Sequence, residues 1–170
     1  MIRIIFVCLS MLFSVSVPAQ IENKVHTDAI DIILNQWHAA AAQANFEAYF
    51  GLMSDDAIFI GTDPTEKWTL PEFKAYSKPH FDKGKAWSFT TLQREIYPSP
   101  NYEIAWFDEL LQTRMGICRG SGVLQKEHGR WRITHYVLSI TIPNDQVEAV
   151  QQNKADFDQN FILKLEKNSH

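Results

Sequence analysis

The sequence predicts an α+β domain, with helices early in the chain and an antiparallel sheet after them. Two observations lead to this prediction. Before residue 84, apolar residues recur at helical spacing in two segments. From residue 87 to residue 142, four strand-like segments follow one another with short turns between them, which is typical of an antiparallel meander. Helices that bury one stripe against a face of such a sheet form an α+β architecture.

The first helix is expected to begin near Thr27 or Asp28, because either residue can cap a helix. Its buried stripe follows helical spacing and consists of Ile30, Ile33, Leu34, Trp37, Ala41 and Ala44. Asn45 breaks this helix before a further turn from Phe46 to Phe50. Residues 57–60 then predict a short apolar strand, which ends at the turn sequence Gly-Thr-Asp-Pro.

The second helix is expected to begin at Leu70, with Pro71 in its first turn. Its apolar face combines Phe73, Tyr76, His80 and Phe81, and the helix ends before Lys85. Strands are predicted over residues 87–96, 103–113, 117–126 and 131–142. A polar helix is predicted to follow from about Gln146.

The N-terminus has the pattern of a secretory signal peptide. Arg3 precedes an apolar run over residues 4–17, and Pro-Ala-Gln follows at residues 18–20. The alternative is a membrane anchor, but the run is shorter than the roughly 20 apolar residues that a membrane span requires. We expect cleavage after Ala19 and export, so that the mature protein is secreted or periplasmic. This divides the chain into a signal peptide (1–19), a domain (20–145) and a C-terminal helix or tail (146–170).

The composition of the mature chain excludes several functional classes. Loss of residues 1–19 leaves 15 basic and 20 acidic residues, a net charge of −5, which does not suit nucleic acid as a partner. Cys118 is then the remaining cysteine, so no internal disulfide can form. The histidines show no HxH or HExxH spacing, and the sequence contains no glycine-rich phosphate loop and no GxSxG elbow. We therefore expect no metal, no cofactor and no membrane association of the mature form.

Two glycines in a predicted strand indicate a pocket. Gly120 and Gly122 alternate along the strand, so both fall on one face of the sheet. Glycine in a strand marks close approach by a ligand or by another backbone. Two-residue turns at 115–116 and 128–129 would align three residues in one row, unless a β-bulge reverses the facing of a strand. These residues are Glu109, Gly122 and His135.

Glu109 and His135 are the candidate catalytic residues. Glu109 has apolar neighbours on its face, which should raise its pKa toward the range of a general acid or base. Together with the His135 imidazole, it could move a proton next to a carbonyl or assist a dehydration. The alternatives are a structural hydrogen bond for Glu109 and a core position for His135.

Aromatic and polar residues supply the candidate ligand-binding set. Asp63 and Glu66 flank a loop close to Trp68, where they could orient a small ligand, although a capped turn would also explain Asp63. The aromatic residues favour a flat or hydrophobic ligand, and the alternative for each is a core position. The full set is Trp37, Phe59, Asp63, Glu66, Trp68, Phe81, Trp87, Phe107, Gly120 and Gly122.

Several sequence stretches resemble one known family in order and spacing. They are GTDPTEKW at 61–68, KPHF at 78–81, KAW at 85–87, AWFDE at 105–109, RGSGVL at 119–124 and the closing strand at 131–143. Together they resemble the SnoaL-like branch of the nuclear-transport-factor-2-like superfamily over about residues 30–145. The resemblance implies a cystatin-like cone, in which a curved antiparallel or mixed sheet wraps around N-terminal helices and leaves an apolar pocket at one end.

The resemblance leaves the activity open. Relatives in the superfamily include ketosteroid isomerase, scytalone dehydratase and polyketide cyclases, and no catalytic set of these enzymes is complete in this chain. Three hypotheses follow. The favoured one is an exported protein that binds a small hydrophobic or aromatic molecule. The others are a cofactor-independent isomerase, dehydratase or cyclase that uses Glu109 and His135, and an interaction module that acts as a dimer.

The outer face of the sheet is the predicted interface. Aromatic, apolar and charged residues are mixed there, which is more typical of a protein contact than of a solvated surface. The resemblance implies a homodimer through this face. The residues expected on it are Trp106, Asp108, Leu110, Arg119, Ser121, Val123, Tyr136 and Leu138.

Overall fold

The computed structural model describes residues 19–168, so the predicted signal peptide lies outside the described residues except for Ala19. Four helices, six strands and a short 3₁₀ turn make up this part of the chain. In chain order they are α1 (Ala19–Ala42), α2 (Phe46–Phe50), β1 (Met53–Ile60), β2 (Lys67–Thr69), α3 (Leu70–Asp82), β3 (Thr90–Pro98), β4 (Ile104–Thr113), β5 (Gly116–Glu127), β6 (Arg130–Ile140), the 3₁₀ turn (Asn144–Gln146) and α4 (Val147–Asn168).

The six strands form one sheet in the order β2-β1-β6-β5-β4-β3. β1 runs parallel to β6, and all other neighbouring pairs are antiparallel, so the sheet is mixed. The sheet is curved and does not close on itself. Its inner face packs against α1, α2 and α3, which confirms the predicted α+β fold class.

Helix α1 begins at Ala19, so the prediction of a cap at Thr27 or Asp28 is wrong. Both residues lie inside the helix and interact with Lys24: the Thr27 hydroxyl donates to its carbonyl at 3.0 Å, and the Asp28 carboxylate accepts from its ammonium at 2.7 Å. Each contact joins residues about one helical turn apart and stabilises the helix, which therefore continues through Thr27 and Asp28 without a cap there. The predicted buried stripe is confirmed at Ile30, Leu34, Trp37 and Ala41.

The next two helices begin where the sequence predicts them. The Asn45 side chain accepts the backbone N–H of Ala48 at 3.1 Å and caps α2. The Glu72 carboxylate accepts the backbone N–H of Thr69 at 2.9 Å and its hydroxyl at 2.7 Å, which fixes the first turn of α3. These bonds lower the pKa of Glu72. The three-residue strand β2 was not predicted, because it is too short to show an alternating pattern.

A β-bulge in β6 overturns the predicted row of residues. Val123 pairs with His135, but the next residue of β5, Leu124, pairs with Ile133, so β6 contains one extra residue at this point. Ile133 and Tyr136 both point inward and are fully buried. His135 therefore lies on the outer face, and its predicted alignment with the inner face is wrong.

The turn between β4 and β5 also differs from the prediction. Thr113 pairs with Gly116, so the turn residues are 114–115 and not 115–116. The Thr113 hydroxyl donates to the Gly116 carbonyl at 3.0 Å and accepts the N–H of Met115 at 2.9 Å, which closes the turn one residue early. Glu109 consequently lies opposite Gly120, and it keeps its predicted inward direction because the pairing moves by two residues.

The outer face agrees with the prediction on β4 and β5 but not on β6. Trp106 is 50% exposed there, and Arg119, which lies opposite Leu110 on the next strand, is also exposed. Asp108, Leu110, Ser121 and Val123 are half-buried on this face. Tyr136 and Leu138, which were predicted to face outward, are buried on the inner side because the bulge shifts their alternation.

Helix α4 lies beside this outer face and buries none of its residues. A groove separates part of it from β1 and β6, with Lys154 and Phe161 on the helix side and Ile60 and Val137 on the sheet side. Within residues 19–168, no helix is both long enough and apolar enough to span a membrane.

Candidate functional site

Glu109 lies at the centre of a buried polar cluster on the inner face. It is 1% exposed, and each of its carboxylate oxygens has partners. Oε1 lies 2.9 Å from Nε2 of His38 on α1 and accepts the hydroxyl of Tyr136 at 3.0 Å. Oε2 accepts from Nε of Arg94 at 2.9 Å, and Nη2 of the same guanidinium lies 2.8 Å away.

Arg94 connects this cluster to the first helix. Its side chain is 3% exposed, and Nη1 donates to Oδ1 of Asp31 at 2.6 Å and to Oδ1 of Asn35 at 2.8 Å. Nη2 donates to the hydroxyl of Thr91 at 3.1 Å. The guanidinium is thus shared between two carboxylates, as a buried arginine requires, and it fixes α1 against β3 and β4.

The surroundings of Glu109 do not raise its pKa as the sequence predicts. Burial alone would raise it, but the hydrogen bond and charge of His38, together with the positive charge of Arg94, outweigh burial and hold the pKa of Glu109 below its ordinary value. Burial, followed by the Glu109 charge, raises the pKa of Tyr136 well above its usual range. A carboxylate that is ionised and fully hydrogen-bonded is suited to holding the fold together.

The two glycines make room for the protein's own groups. A Cβ at Gly120 would collide with the Tyr136 hydroxyl. A Cβ at Gly122 would lie 2.5 Å from the backbone oxygen of His135 and 2.7 Å from a ring carbon of Phe107. The predicted close approach at the two glycines is therefore confirmed. The groups that approach them belong to β6 and to the aromatic core, so the glycines do not open a pocket.

The first helix fills this end of the sheet. Trp37 contacts the Tyr136 ring edge to face, with 4.8 Å between centroids, and stacks on Tyr49 at 4.9 Å. Trp37, Phe81 and Phe107, three of the predicted ligand-binding residues, are buried in this core.

A cavity of about 680 Å³ lies at the other end of the inner face. The loop after β1, the C-terminal part of α3, residues 84–89 and the β4–β5 turn surround it. Four of the predicted ligand-binding residues line it: Phe59, Glu66, Trp68 and Trp87. Other lining residues are not predicted from the sequence, among them Tyr76, His80, Lys85, Phe89, Arg114 and Leu138.

Stacked aromatic rings form one wall of this cavity. The Trp68 ring stacks on Tyr76 at 4.5 Å and on Phe73 at 5.6 Å. Phe73 in turn stacks on Phe59 at 4.0 Å and on Trp87 at 5.7 Å. Trp68 and Trp87 are half-buried, so part of each ring is accessible from the cavity.

Asp63 and Glu66 have different positions. Oδ1 of Asp63 accepts the N–H of Thr65 at 2.8 Å and its hydroxyl at 2.5 Å, and these bonds lower the pKa of Asp63. Asp63 thus caps the turn, and it lines the groove beside α4 instead of the cavity. Glu66 lines the cavity, with Oε2 accepting the backbone N–H of Asp63 at 3.2 Å and packed against Gly61.

The two cationic residues that line the cavity, Lys85 and Arg114, do not belong to any recognisable sequence motif. Arg114 lies in the two-residue β4–β5 turn, and Lys85 follows Gly84, whose positive φ of 67° ends the turn after α3. Each is an ordinary exposed turn residue when considered alone. Their common position depends on how α3 and the hairpin are arranged in space, which local sequence spacing does not contain.

A resident metal ion has no candidate site in the described part of the chain. Residues 19–168 contain no group of three or more His, Cys, Asp or Glu side chains close enough to hold one. Cys118 is buried and unpaired.

The family model of the SnoaL-like domain matches residues 30–143. The chain belongs to the SnoaL-like family. This match covers α1 from its buried stripe onward and the whole sheet, and it leaves out α4. No curated protein matches the chain.

Several solved structures resemble this SnoaL-like protein in fold. An NTF2-like protein of unknown function from Pseudomonas putida KT2440 is 11% identical, with a TM-score of 0.60 over 73% of this chain and 92% of that one. A protein from Shewanella frigidimarina with the provisional name of ketosteroid isomerase is 20% identical, with a TM-score of 0.55 over 65% and 94%. The association domain of C. elegans CaMKII is 19% identical, with a TM-score of 0.57 over 70% and 98%. At these identities the likeness concerns the fold.

Proposed function

We propose that this SnoaL-like protein binds a small hydrophobic or aromatic molecule in the cavity of about 680 Å³. The observation that carries this proposal is the wall of stacked rings, in which half-buried indoles of Trp68 and Trp87 are accessible from the cavity. The volume lies within the roughly 300–1,000 Å³ of small-molecule sites, which are lined mainly by apolar and aromatic groups. The provisional name of the Shewanella protein fits a small-molecule site in this fold.

Catalysis through Glu109 and His135 is not part of this proposal. The two side chains lie on opposite faces of the sheet, and the Glu109 carboxylate is occupied by three protein partners. Binding thus fits the observed geometry better than the predicted acid–imidazole reaction does.

The binding proposal can be tested with the neutral fluorescent probe N-phenyl-1-naphthylamine. We expect saturable binding by the wild type and roughly tenfold weaker binding by Trp68→Ala, which corresponds to about 1.4 kcal/mol. Trp106→Ala is the matched control, because it removes an indole from the outer face. The proposal fails if the wild type does not bind the probe, or if both variants weaken binding equally.

We also propose that the protein associates with a second copy through the outer face of β3 and β4. Trp106 and Tyr97 are 50% and 42% exposed and stack on each other, with 6.0 Å between ring centroids. Ile104, two residues before Trp106 on the same strand, is exposed as well. An apolar surface of this kind is a common protein interface, and the named association domain of the same fold supports this use of it.

Sedimentation of the purified protein tests this association. We expect a dimer for the wild type and a monomer for Trp106→Glu, because a charge in the middle of an apolar contact would be buried without a partner. Ile32→Glu is the control, since Ile32 is 55% exposed on α1, away from the sheet. A monomeric wild type, or dissociation caused equally by both substitutions, would refute the association.

We further propose export with cleavage after Ala19, which rests on the basic start, the short apolar run and the small residues before the cut. The intact mass of the protein recovered from an exporting bacterial host measures the cleavage position. A mass that still includes residues 1–19 would exclude it.

A further inference from the structure

The cavity rim carries more positive than negative charge. Of its lining residues, Lys85 and Arg114 are cationic at neutral pH, and Glu66 is the acid. The chain as a whole has a net charge of −4, so a local excess of positive charge runs against its composition. His80 adds an imidazole to the same rim.

The two cations have no acidic partner of their own. Within residues 19–168, neither Lys85 nor Arg114 takes part in an ion pair or a side-chain hydrogen bond. By contrast, Arg94 binds two carboxylates, and Lys78 binds Asp82.

The backbone holds both cations in place. Arg114 belongs to the turn that the Thr113 hydroxyl closes from both sides. Lys85 donates its backbone N–H to the carbonyl of His80 at 3.2 Å, directly after the glycine turn that ends α3. The charges are therefore carried by two defined turns that line the same cavity, so that one bound group could meet both.

We propose that the ligand of this cavity is an aromatic or hydrophobic molecule that carries an anionic group, such as an aromatic carboxylate. This inference rests on the proposed binding function and adds the chemical class of the ligand. The flat part of the molecule packs on the rings of Trp68 and Trp87, and the carboxylate lies at the rim between Lys85 and Arg114. Glu66 sits beside the opening and disfavours a second anionic group on the same ligand.

Two isosteric ligands separate this inference from the binding proposal. 2-Naphthoate is charged at pH 7, and 2-naphthamide has nearly the same shape without the charge. Titration calorimetry of the wild type at low salt is expected to show binding of 2-naphthoate at least about tenfold tighter than of 2-naphthamide. This preference should shrink at 0.5 M salt, because exposed charges are screened.

Two double variants identify the charges responsible. Lys85→Gln/Arg114→Gln should remove the preference, so that 2-naphthoate binds no more tightly than 2-naphthamide. Lys83→Gln/Arg130→Gln is the matched control, because it removes the same two charge types from exposed positions that do not line the cavity. The control should keep the preference.

Each other result overturns the inference in a distinct way. Equal binding of 2-naphthoate and 2-naphthamide by the wild type rejects an anionic ligand, while the cavity still binds neutral aromatic molecules. Equal loss of preference in both double variants assigns the effect to overall charge and not to the rim. If N-phenyl-1-naphthylamine and both naphthalene ligands fail to bind, the binding function itself is rejected.

Discussion

The variant Glu109→Gln is expected to unfold about 3 kcal/mol more easily than the wild type at pH 7. A glutamine side chain has nearly the same shape, but it removes the negative charge that His38, Tyr136 and Arg94 share. Removing one partner of a buried ion pair leaves the other charge without compensation, which costs more than the pair contributed. Urea denaturation at pH 7 measures the difference.

The pH dependence of this loss is a second readout of the same variant. The pKa of Glu109 is lower in the folded protein than in the unfolded chain. Its contribution is thus fully present above the unfolded pKa, about 4.3, and is lost as the pH falls through the folded value. The difference in unfolding free energy between wild type and variant should therefore be large at pH 7 and smaller at pH 3.

Glu103→Gln is the matched control, because Glu103 is exposed and its side chain forms no hydrogen bond or ion pair among the described residues. We expect it to change stability by less than about 0.5 kcal/mol. A similar loss in both variants, or a loss in Glu109→Gln that does not change with pH, would contradict a stabilising role for the buried carboxylate.

Gly122→Ala is expected to destabilise the protein by about 2–3 kcal/mol, although it adds a single methyl group. The new Cβ would lie 2.5 Å from the backbone oxygen of His135. Because this oxygen belongs to the backbone of the neighbouring strand, it cannot move away by a change of rotamer. The new Cβ would also lie 2.7 Å from the Phe107 ring, which is itself buried. Overpacking of a closed core costs about 1–3 kcal/mol. The shift of the thermal midpoint measures it.

Ser121→Ala provides the comparison for this glycine. Ser121 lies between the two glycines on the same strand, but it is half-buried on the outer face and forms no side-chain hydrogen bond in the described structure. Its replacement should leave the midpoint unchanged within error. A Gly122→Ala variant as stable as Ser121→Ala would mean that β5 and β6 separate without cost.

The helices and the meander could be predicted from the sequence because their signals are local. The spacing of Ile30, Leu34 and Trp37 determines a buried helical face whatever the chain does elsewhere. Pro71 and Glu72 mark the first turn of α3 in the same way. The strand β2 escaped prediction because its three residues have a defined conformation only when paired with β1.

The candidate site could be predicted less well, because its geometry depends on single-residue events and distant contacts. The bulge in β6 turns His135 outward and Tyr136 inward. No residue type near the bulge predicts it from the sequence. The imidazole beside Glu109 proved to be that of His38, 71 positions earlier in the chain. An imidazole beside the acid was thus a sound expectation on chemical grounds, but it came from a different histidine.

The extra residue in β6 determines which functional group reaches Glu109. If the same residues of β6 paired with β5 as a regular ladder, His135 would lie opposite Gly122, and its imidazole would face inward in place of the Tyr136 phenol. Deletion of the bulge residue Thr134 would instead keep Ile133 opposite Leu124 and Tyr136 opposite Gly122, so the phenol would stay at the carboxylate. An alignment without a gap between this β6 and that of a relative without the bulge would therefore equate residues that occupy opposite sides of the sheet.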